Sequence, residues 1–255
     1  MVACIGLGVI VSKVEKKKGW SDGHRPYGFY EREIKRPLDF GLSLFAMIFL
    51  CPVLLFMNLL VKRKIGSPIF FTQPRPGLGE DIFILRKYRT MTEERDAEGK
   101  PLSDQRRLTG FGKKMRATSL DELPEMINIL KGDMAIVGPR PQLVRDMVFM
   151  SKEHRRRHDV RPGLTGLAQV SGRNGITWES KLNMDLKYCE KITFFGDLGI
   201  VFQTVKKVIQ KDGITEDGQA TALDYGDWLL VNGWVSKEEY AEKQKEAERI
   251  LYEVT

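Results

Sequence analysis

Residues 40–61 read FGLSLFAMIFLCPVLLFMNLLV, an apolar run interrupted only by Gly41, Ser43, Pro52 and Asn58. By length it is sufficient to cross a bilayer. Pro52, near its middle, removes a helical hydrogen bond and clashes with the preceding turn, so a kink is expected there. The resulting arms are roughly 18 and 15 Å long, each short of the roughly 30 Å hydrocarbon core. Lys35 and Arg36 precede the run, and Lys62, Arg63 and Lys64 follow it. Positive flanks favour the cytoplasmic side, and a straight span would put one cluster outside. Residues 35–64 are therefore expected to enter and leave by the same leaflet as a re-entrant helix. The alternative is a buried core helix, which needs a larger surrounding fold than this chain readily supplies.

Outward from that run, the 255 residues carry a net charge of +7 and a hydrophobic fraction of 42%, enough for a folded core. The charge is uneven: residues 213–255 hold ten Asp and Glu against four Lys and Arg. The first 212 residues thus carry +13. Such an excess points to polyanionic company, with phosphorylated substrates, anionic lipid and nucleic acid all open at this level. Cys4, Cys51 and Cys189 are odd in number and far apart, suggesting neither a disulfide framework nor a thiolate metal site. A reducing, cytoplasmic setting follows. The stretch Met1 to Val11 is apolar but short, with no basic region before it, and reads as a frayed or surface-lying terminus rather than a signal peptide.

Four parts are expected: an N-terminal segment (1–34), the membrane helix (35–64), a globular domain (65–226) and an acidic extension (227–255). In the globular part, Gln73 to Gly79 is rich in Pro and Gly and is expected to be irregular. Ile82 to Leu85 reads as a short strand, followed by Arg86, Lys87 and Arg89, which are placed to face phosphate groups or plain solvent. Residues 93–107 read as a surface loop. Leu108, Phe111 and Met115 repeat at helical spacing, with Lys113, Lys114 and Arg116 on other faces.

In Thr118 to Asp133, Ser119 followed three residues later by Glu122 matches a capping box. Leu123, Met126, Ile127 and Leu130 then keep one apolar face, and Gly132 offers the stop. Asp121 and Glu122 are thus placed at a helix start, where unpaired N–H groups favour a carboxylate anion. Pro124 lies deep for a helix capped by Ser119, so the helix starts either there or at Ser119. Taken alone, acidic residues in a first turn are ordinary caps.

Further along, Ala135 to Val137 is a short apolar strand running into Gly138, Pro139, Arg140 and Pro141, a stiff turn around Arg140. Residues 161–174 read RPGLTGLAQVSGRN, whose glycines permit close backbone approach and which carries Arg173 near its end. Between them, EHRRRHD at 153–159 places His154 and His158 at i, i+4 without an evident third metal ligand, and is expected to be a solvated basic face. Asp185 and Tyr188 precede an amphipathic stretch, Ile192 to Ile209, suited to a membrane surface.

The combination of KRPLDF (35–40), TQPRPGL (72–78), FGKKMRATSLDELPEMINILKGDM (111–134), VGPRP (137–141) and RPGLTGLAQVSGRN (161–174) resembles the bacterial sugar transferase family, the monotopic phosphoglycosyl transferases. The likeness covers about residues 33–226, including GITEDGQAT at 213–221, and the compact form is similar to the small enzymes that begin N-glycan assembly. The resemblance implies an α/β globular domain with a re-entrant helix and amphipathic surface helices, on the cytoplasmic face of the bacterial inner membrane. It implies transfer of a sugar 1-phosphate from a UDP-sugar to polyprenyl (undecaprenyl) phosphate, with UMP released. Asp121 and Glu122 then correspond to the family's catalytic dyad and hold Mg²⁺, with Asp121 as nucleophile. Arg116, Arg140 and Arg173 match arginines around its phosphate site, and Asp185 another family carboxylate, grouped here with the substrate-binding residues.

The chain departs from this pattern at Cys51, where relatives often carry serine before the helix-breaking Pro52. A thiol is the weaker partner for the carbonyls that proline frees. The acidic tail, with Trp228, Trp234 and a helix expected from Ser236, is expected to pack on the globular part or on a second subunit of a homo-oligomer. A nucleic-acid-binding module lacks a recognised motif here and leaves residues 40–61 idle. A catalytically silent membrane adaptor is the stronger rival, yet has no use for Asp121.

Overall fold

The computed structural model describes residues 24–172, 176–210 and 223–254. Met1 to Val11 with Cys4, Arg173, and the 213–221 stretch lie outside the described residues. A π-helical stretch, Tyr30–Ile34, leads into α1 (Lys35–Phe49), and α2 (Cys51–Lys64) follows after Leu50. No single helix among the described residues is long and apolar enough to cross a membrane, but Tyr30–Phe49 and Cys51–Lys64 pass that test as a pair, bent by 66°. Pro52 stands in the first turn of α2, where its missing N–H and fixed φ suit a helix start.

Among the described residues, the two arms meet the rest of the protein on one side. Met57 and Val61 of α2 are buried with Tyr88 and Met115, and the Tyr88 hydroxyl donates to Asn58 Oδ1 at 2.8 Å. Phe45, Ile48 and Phe49 of α1 and Leu55, Phe56 and Leu59 of α2 are exposed, Phe49 to 73%. A core helix would bury these side chains, so that alternative is not met.

The two basic flanks differ in their surroundings. Lys35 Nζ is 2.6 Å from Asp197 Oδ2 and 3.7 Å from Asp39 Oδ2. Arg36 donates to the carbonyls of Ile129 and Leu130. Both cations are therefore engaged by the globular part, because other helices pack over the start of α1. Lys62, Arg63 and Lys64 remain exposed.

Two small sheets organise the rest. Strands β1 (Phe70–Pro76) and β2 (Ile82–Tyr88) pair antiparallel, from Phe70 opposite Tyr88 to Pro76 opposite Ile82. This corrects the expectation that Gln73 to Gly79 is irregular throughout. Pro74 and Pro76 are two residues apart, so both nitrogens face the same edge, and a two-stranded ladder leaves one edge of each strand unpaired. Strand β2 also extends beyond Leu85 and carries Lys87 toward the centre of the molecule. Strands β3 (Ala135–Val137) and β4 (Gly163–Thr165) pair in parallel. A Cβ on Gly163 would lie 2.1 Å from Gly138 N, so the approach of these strand ends requires glycine.

Around the sheets lie α3 (Gly110–Ala117), α4 (Glu125–Lys131), α5 (Leu167–Ser171), α6 (Trp178–Glu190) and α7 (Phe194–Gln210). Val137, Val160, Val170, Tyr188, Cys189, Ile192 and Ile200 form one buried cluster among them. The outer face of α7 leaves Phe195, Phe202, Val205 and Ile209 exposed. The mixed α/β class is thus met. The acidic tail forms α8 (Tyr225–Val231) and α9 (Lys237–Val254), and Ser236 Oγ accepts from Glu239 N at 3.0 Å as the expected cap. Ala247, Ile250 and Leu251 pack on Val144, Met147 and Val148 of the same chain.

Candidate active site

Thr109 caps α3 by accepting from Gly112 N at 2.9 Å, and a Cβ on Gly112 would fall 1.9 Å from the Thr90 carbonyl oxygen. Only glycine lets α3 lie so close to the end of β2. At its far end Arg116 Nε donates to Thr90 Oγ1 at 3.0 Å. The chain then reverses at Ser119, whose φ of 53° is left-handed. Its side chain makes no cap hydrogen bond, so the expected capping box is absent. Leu120–Glu122 form a 3-10 turn, and α4 begins after Pro124. The reason is Pro124, which can neither donate to the ladder nor tolerate a helix continuous from Ser119. Gly132, at φ 90°, ends α4 as expected.

This turn buries Asp121 to 8% exposure and leaves Glu122 partly open. Lys87 Nζ lies 2.8 Å from Glu122 Oε1 and 3.0 Å from Glu125 Oε1. Arg140 Nη2 reaches Glu122 Oε1 at 3.2 Å while its side chain stays 44% exposed. Burial pushes the Asp121 carboxyl above the usual range, Glu122 adds to this, and Lys87 and Arg116 oppose it. Burial acts the same way on Glu122, but Lys87 and Arg140 outweigh it and hold that carboxyl well below its ordinary value. Burial also raises Glu125, with Glu122 adding and Lys87 opposing. Lys87 and Arg140 thus favour the anion of Glu122, while burial disfavours the anions of Asp121 and Glu125.

Asp121, Glu122 and Arg140 are brought together, with Arg116 near enough to act on Asp121 electrostatically. Asp185 stands apart from that opening. It is 2% exposed, and its Oδ2 accepts from Arg157 Nε and Nη2 at 3.0 and 2.7 Å. Cys51 is exposed at the bend between α1 and α2. The expected solvated face at 153–159 is a correction: Arg157 is 1% exposed and His158 is buried, because the stretch breaks into two short turns packed under α6. Among the described residues, no third His, Cys, Asp or Glu joins His154 and His158 in a group that could hold a metal ion.

Three contributors escaped the sequence reading. Glu125 follows Glu122 by three residues and so shares its side of a helical turn, a signal that was present. Lys181 lies beside Arg140, where burial and that guanidinium lower its amine. Arg157 donates to the Arg140 carbonyl at 2.5 Å. Neither could be found without the fold.

The donor set suits a hard divalent cation of the magnesium kind. Such an ion binds through one or two carboxylates and takes its other ligands from water and substrate phosphates. Asp121 and Glu122 are two carboxylates of that kind, with no third His, Cys, Asp or Glu completing a group among the described residues. The exposed side of Arg140 and the neighbouring cations suit a phosphorylated ligand, since guanidinium matches phosphate with two parallel donors.

Residues 30–211 match the family described as bacterial sugar transferase. The chain is 45% identical over 189 residues to the uncharacterized sugar transferase EpsL of Bacillus subtilis (strain 168), covering 74% of this chain and 94% of that protein. It is 36% identical over 190 residues to the UDP-glucose:undecaprenyl-phosphate glucose-1-phosphate transferase of Caulobacter vibrioides, covering 70% of each. To the undecaprenyl-phosphate galactose phosphotransferase of Salmonella typhimurium it is 32% identical over 199 residues, covering 71% of this chain but only 42% of that longer protein. A carboxylate pair faced by lysine and arginine, on a chain matched over these lengths, leads to one assignment: the chain belongs to the bacterial sugar transferase family.

Proposed function

We propose that this chain moves a sugar 1-phosphate from a UDP-sugar to undecaprenyl phosphate or a similar polyprenyl phosphate, releasing UMP, at the cytoplasmic face of the bacterial inner membrane. The observation that carries this reading is the buried Asp121 beside Glu122, with Lys87 and Arg140 within ion-pair reach of the latter. The names of the Caulobacter and Salmonella relatives, which specify undecaprenyl phosphate as acceptor, support the reaction class. They carry glucose and galactose, and the sugar moved by this chain is left open.

Asp121 is the proposed nucleophile. Its carboxylate oxygen attacks the β-phosphorus, the bond from that phosphorus to the bridging oxygen breaks, and UMP departs with the electron pair. An oxygen of the polyprenyl phosphate then attacks the phosphorus of the aspartyl phosphosugar. The Asp121 carboxylate is regenerated, and the product is a polyprenyl diphosphate sugar. Glu122 stays ionised through Lys87 and Arg140, while Arg140 and Arg116 orient the diphosphate and offset its charge. Arg173 joins them in this proposal by family likeness. Mg²⁺, held by Asp121 and Glu122, would neutralise charge on the phosphate oxygens.

The bent pair α1 and α2 is read as the re-entrant membrane helix of residues 35–64. Its exposed apolar side chains and the exposed apolar face of α7 support a lipid surface, since exposed apolar faces on a folded chain mark interaction sites. Residues 65–226 form the catalytic domain, with 1–34 and 227–255 as flanking segments. The helical tail packs on its own chain, so a homo-oligomer is not needed to cover that face.

The test uses the full chain in detergent with Mg²⁺ and a panel of UDP-sugars, including UDP-glucose and UDP-galactose labelled in the sugar, without lipid acceptor. The expected outcome is UMP release together with label on the protein, discharged when polyprenyl phosphate is added. Asp121→Asn should abolish labelling and lower turnover by on the order of 10³-fold or more. UMP release only after lipid is added, with no labelled protein, would replace the covalent route by direct attack of the lipid phosphate. Absence of UMP with every sugar and lipid would favour the silent adaptor.

A further inference from the structure

The short turn around Arg140 is held by its backbone on three consecutive carbonyls. The Pro139 oxygen accepts from Gly163 N at 2.9 Å, the Arg140 oxygen from Arg157 Nη2 at 2.5 Å, and the Pro141 oxygen from Arg75 Nη1 at 3.2 Å. The prolines on either side have φ set by their rings, which removes most of the remaining freedom. Gly163 belongs to β4, so its contribution follows from the strand pairing itself. Arg157 is different, because its charge is buried to 1% exposure and balanced by Asp185, itself 2% exposed on α6. Replacing a buried ion pair of this kind by well-packed apolar side chains is often neutral or stabilising, so folding stability alone gives little reason for it. Its geometry has a second feature: Arg157 Nε and Nη2 both reach Asp185 Oδ2, while Nη2 also serves the Arg140 carbonyl. One guanidinium is thus oriented by the carboxylate and delivers a donor to the peptide that carries Arg140.

On the reading that Arg140 binds the diphosphate, we propose that Arg157 and Asp185 are positioning residues that act through Arg140 and never touch substrate. Asp185 fixes the plane of Arg157, Arg157 fixes the Arg140 peptide, and the Arg140 side chain is thereby aimed at Glu122 and the phosphates beside it. This gives Asp185 a task different from direct substrate binding. A displacement of about 1 Å in such a group is sufficient to cost roughly 10²-fold in rate.

The experiment is a double-mutant cycle on the full chain in detergent, with UDP-glucose or UDP-galactose, whichever is turned over, and polyprenyl phosphate as acceptor. The parent, Arg140→Ala, Asp185→Asn and the double variant are compared by kcat/KM. Asp185→Asn is expected to lower kcat/KM about tenfold in the parent and less than about twofold once Arg140 is Ala, since a device acting through Arg140 has nothing left to position. Equal losses in both backgrounds would overturn the positioning role and assign Asp185 either a general structural part or a direct substrate contact. An unchanged kcat/KM in Asp185→Asn would overturn it as well. Full activity of Arg140→Ala would instead overturn the phosphate reading on which the proposal rests. Should Asp185→Asn fail to show a cooperative thermal transition, Arg157→Lys takes its place in the same cycle, because an ammonium cannot reproduce the planar fork that serves both partners.

Discussion

Two helix starts in this molecule are set by proline, and they serve opposite environments. At Pro52 the chain bends by 66° between α1 and α2, and the side chains on both sides of the bend are apolar and largely exposed. At Pro124 the chain enters α4 from a tight turn whose side chains are carboxylates, with Asp121 buried and Glu122 paired to Lys87 and Arg140. The backbone rule is the same in both places: a residue without an N–H belongs in a first turn and forces the preceding chain out of line. The residues ahead of the break decide what the break is for. Leu50 and Cys51 offer the bend at Pro52 an apolar surface with no side-chain cap, whereas Ser119 in a left-handed conformation turns Asp121 and Glu122 into a pocket of cations. A proline break alone therefore identifies neither a membrane segment nor an active site.

The polar break should be the more sensitive of the two to a single substitution. Arg140→Lys keeps the charge beside Glu122 but loses the two-pronged donor, and kcat/KM for the UDP-sugar is expected to fall roughly tenfold to a hundredfold. Near-parent kinetics would reduce Arg140 to a partner of Glu122 and weaken the contrast drawn between the breaks.

At the apolar break the expected effect is smaller and appears first as topology. Pro52→Ala restores a hydrogen bond and favours a straighter helix, so a fraction of molecules should place the two flanks of residues 35–64 on opposite sides, with activity falling a few-fold. Single cysteines at positions 35 and 64, in a background without native cysteines, report this by labelling in sealed vesicles. In the parent both should label from one side. Because Lys35 is engaged by Asp197, position 34 offers a substitute site should the cysteine at 35 disturb packing. Opposite labelling in the parent would remove the re-entrant reading, and unchanged labelling in Pro52→Ala would assign the bend to tertiary contacts.

The smallest effect concerns Ser119. A left-handed residue other than glycine costs roughly 1–2 kcal/mol, so Ser119→Gly should leave the unfolding free energy unchanged or raise it slightly, and Ser119→Val should lower it by about 1 kcal/mol, both read from thermal unfolding. If Ser119→Gly destabilised the fold clearly, a contact of the hydroxyl rather than the backbone angle would be setting the turn.

How much of this was legible beforehand differs between the two breaks. The apolar run, Pro52 and the Lys62 to Lys64 cluster are local features, and the bend, the exposed faces and the second basic flank follow from them. The strand Ala135 to Val137, the stop at Gly132 and the Ser236 cap are equally local, because each depends on dihedral preferences and neighbours within a few residues. The reading failed at one local conflict and at residues whose partners are distant. Ser119 and Glu122 match a capping box in spacing, yet Pro124 overrides it. The 153–159 stretch looks like a solvated basic face, yet Arg157 finds Asp185 twenty-eight residues away and is buried. Nothing near Lys35 and Arg36 in the sequence announces that Asp197 and the end of α4 take them up.

The sequence by itself determined the apolar character of residues 40–61, the break at Pro52, and the carboxylate pair at a helix start, since periodicity and proline chemistry act along the chain. The tertiary structure alone decided which cations stand against which carboxylates. Lys87 comes from a strand and Arg140 from a turn clamped by β4 and Arg157, and nothing in their spacing records that they meet at Glu122. Charge pairing in a buried site depends on distances of a few ångströms between segments tens of residues apart, and only the packed fold sets those distances.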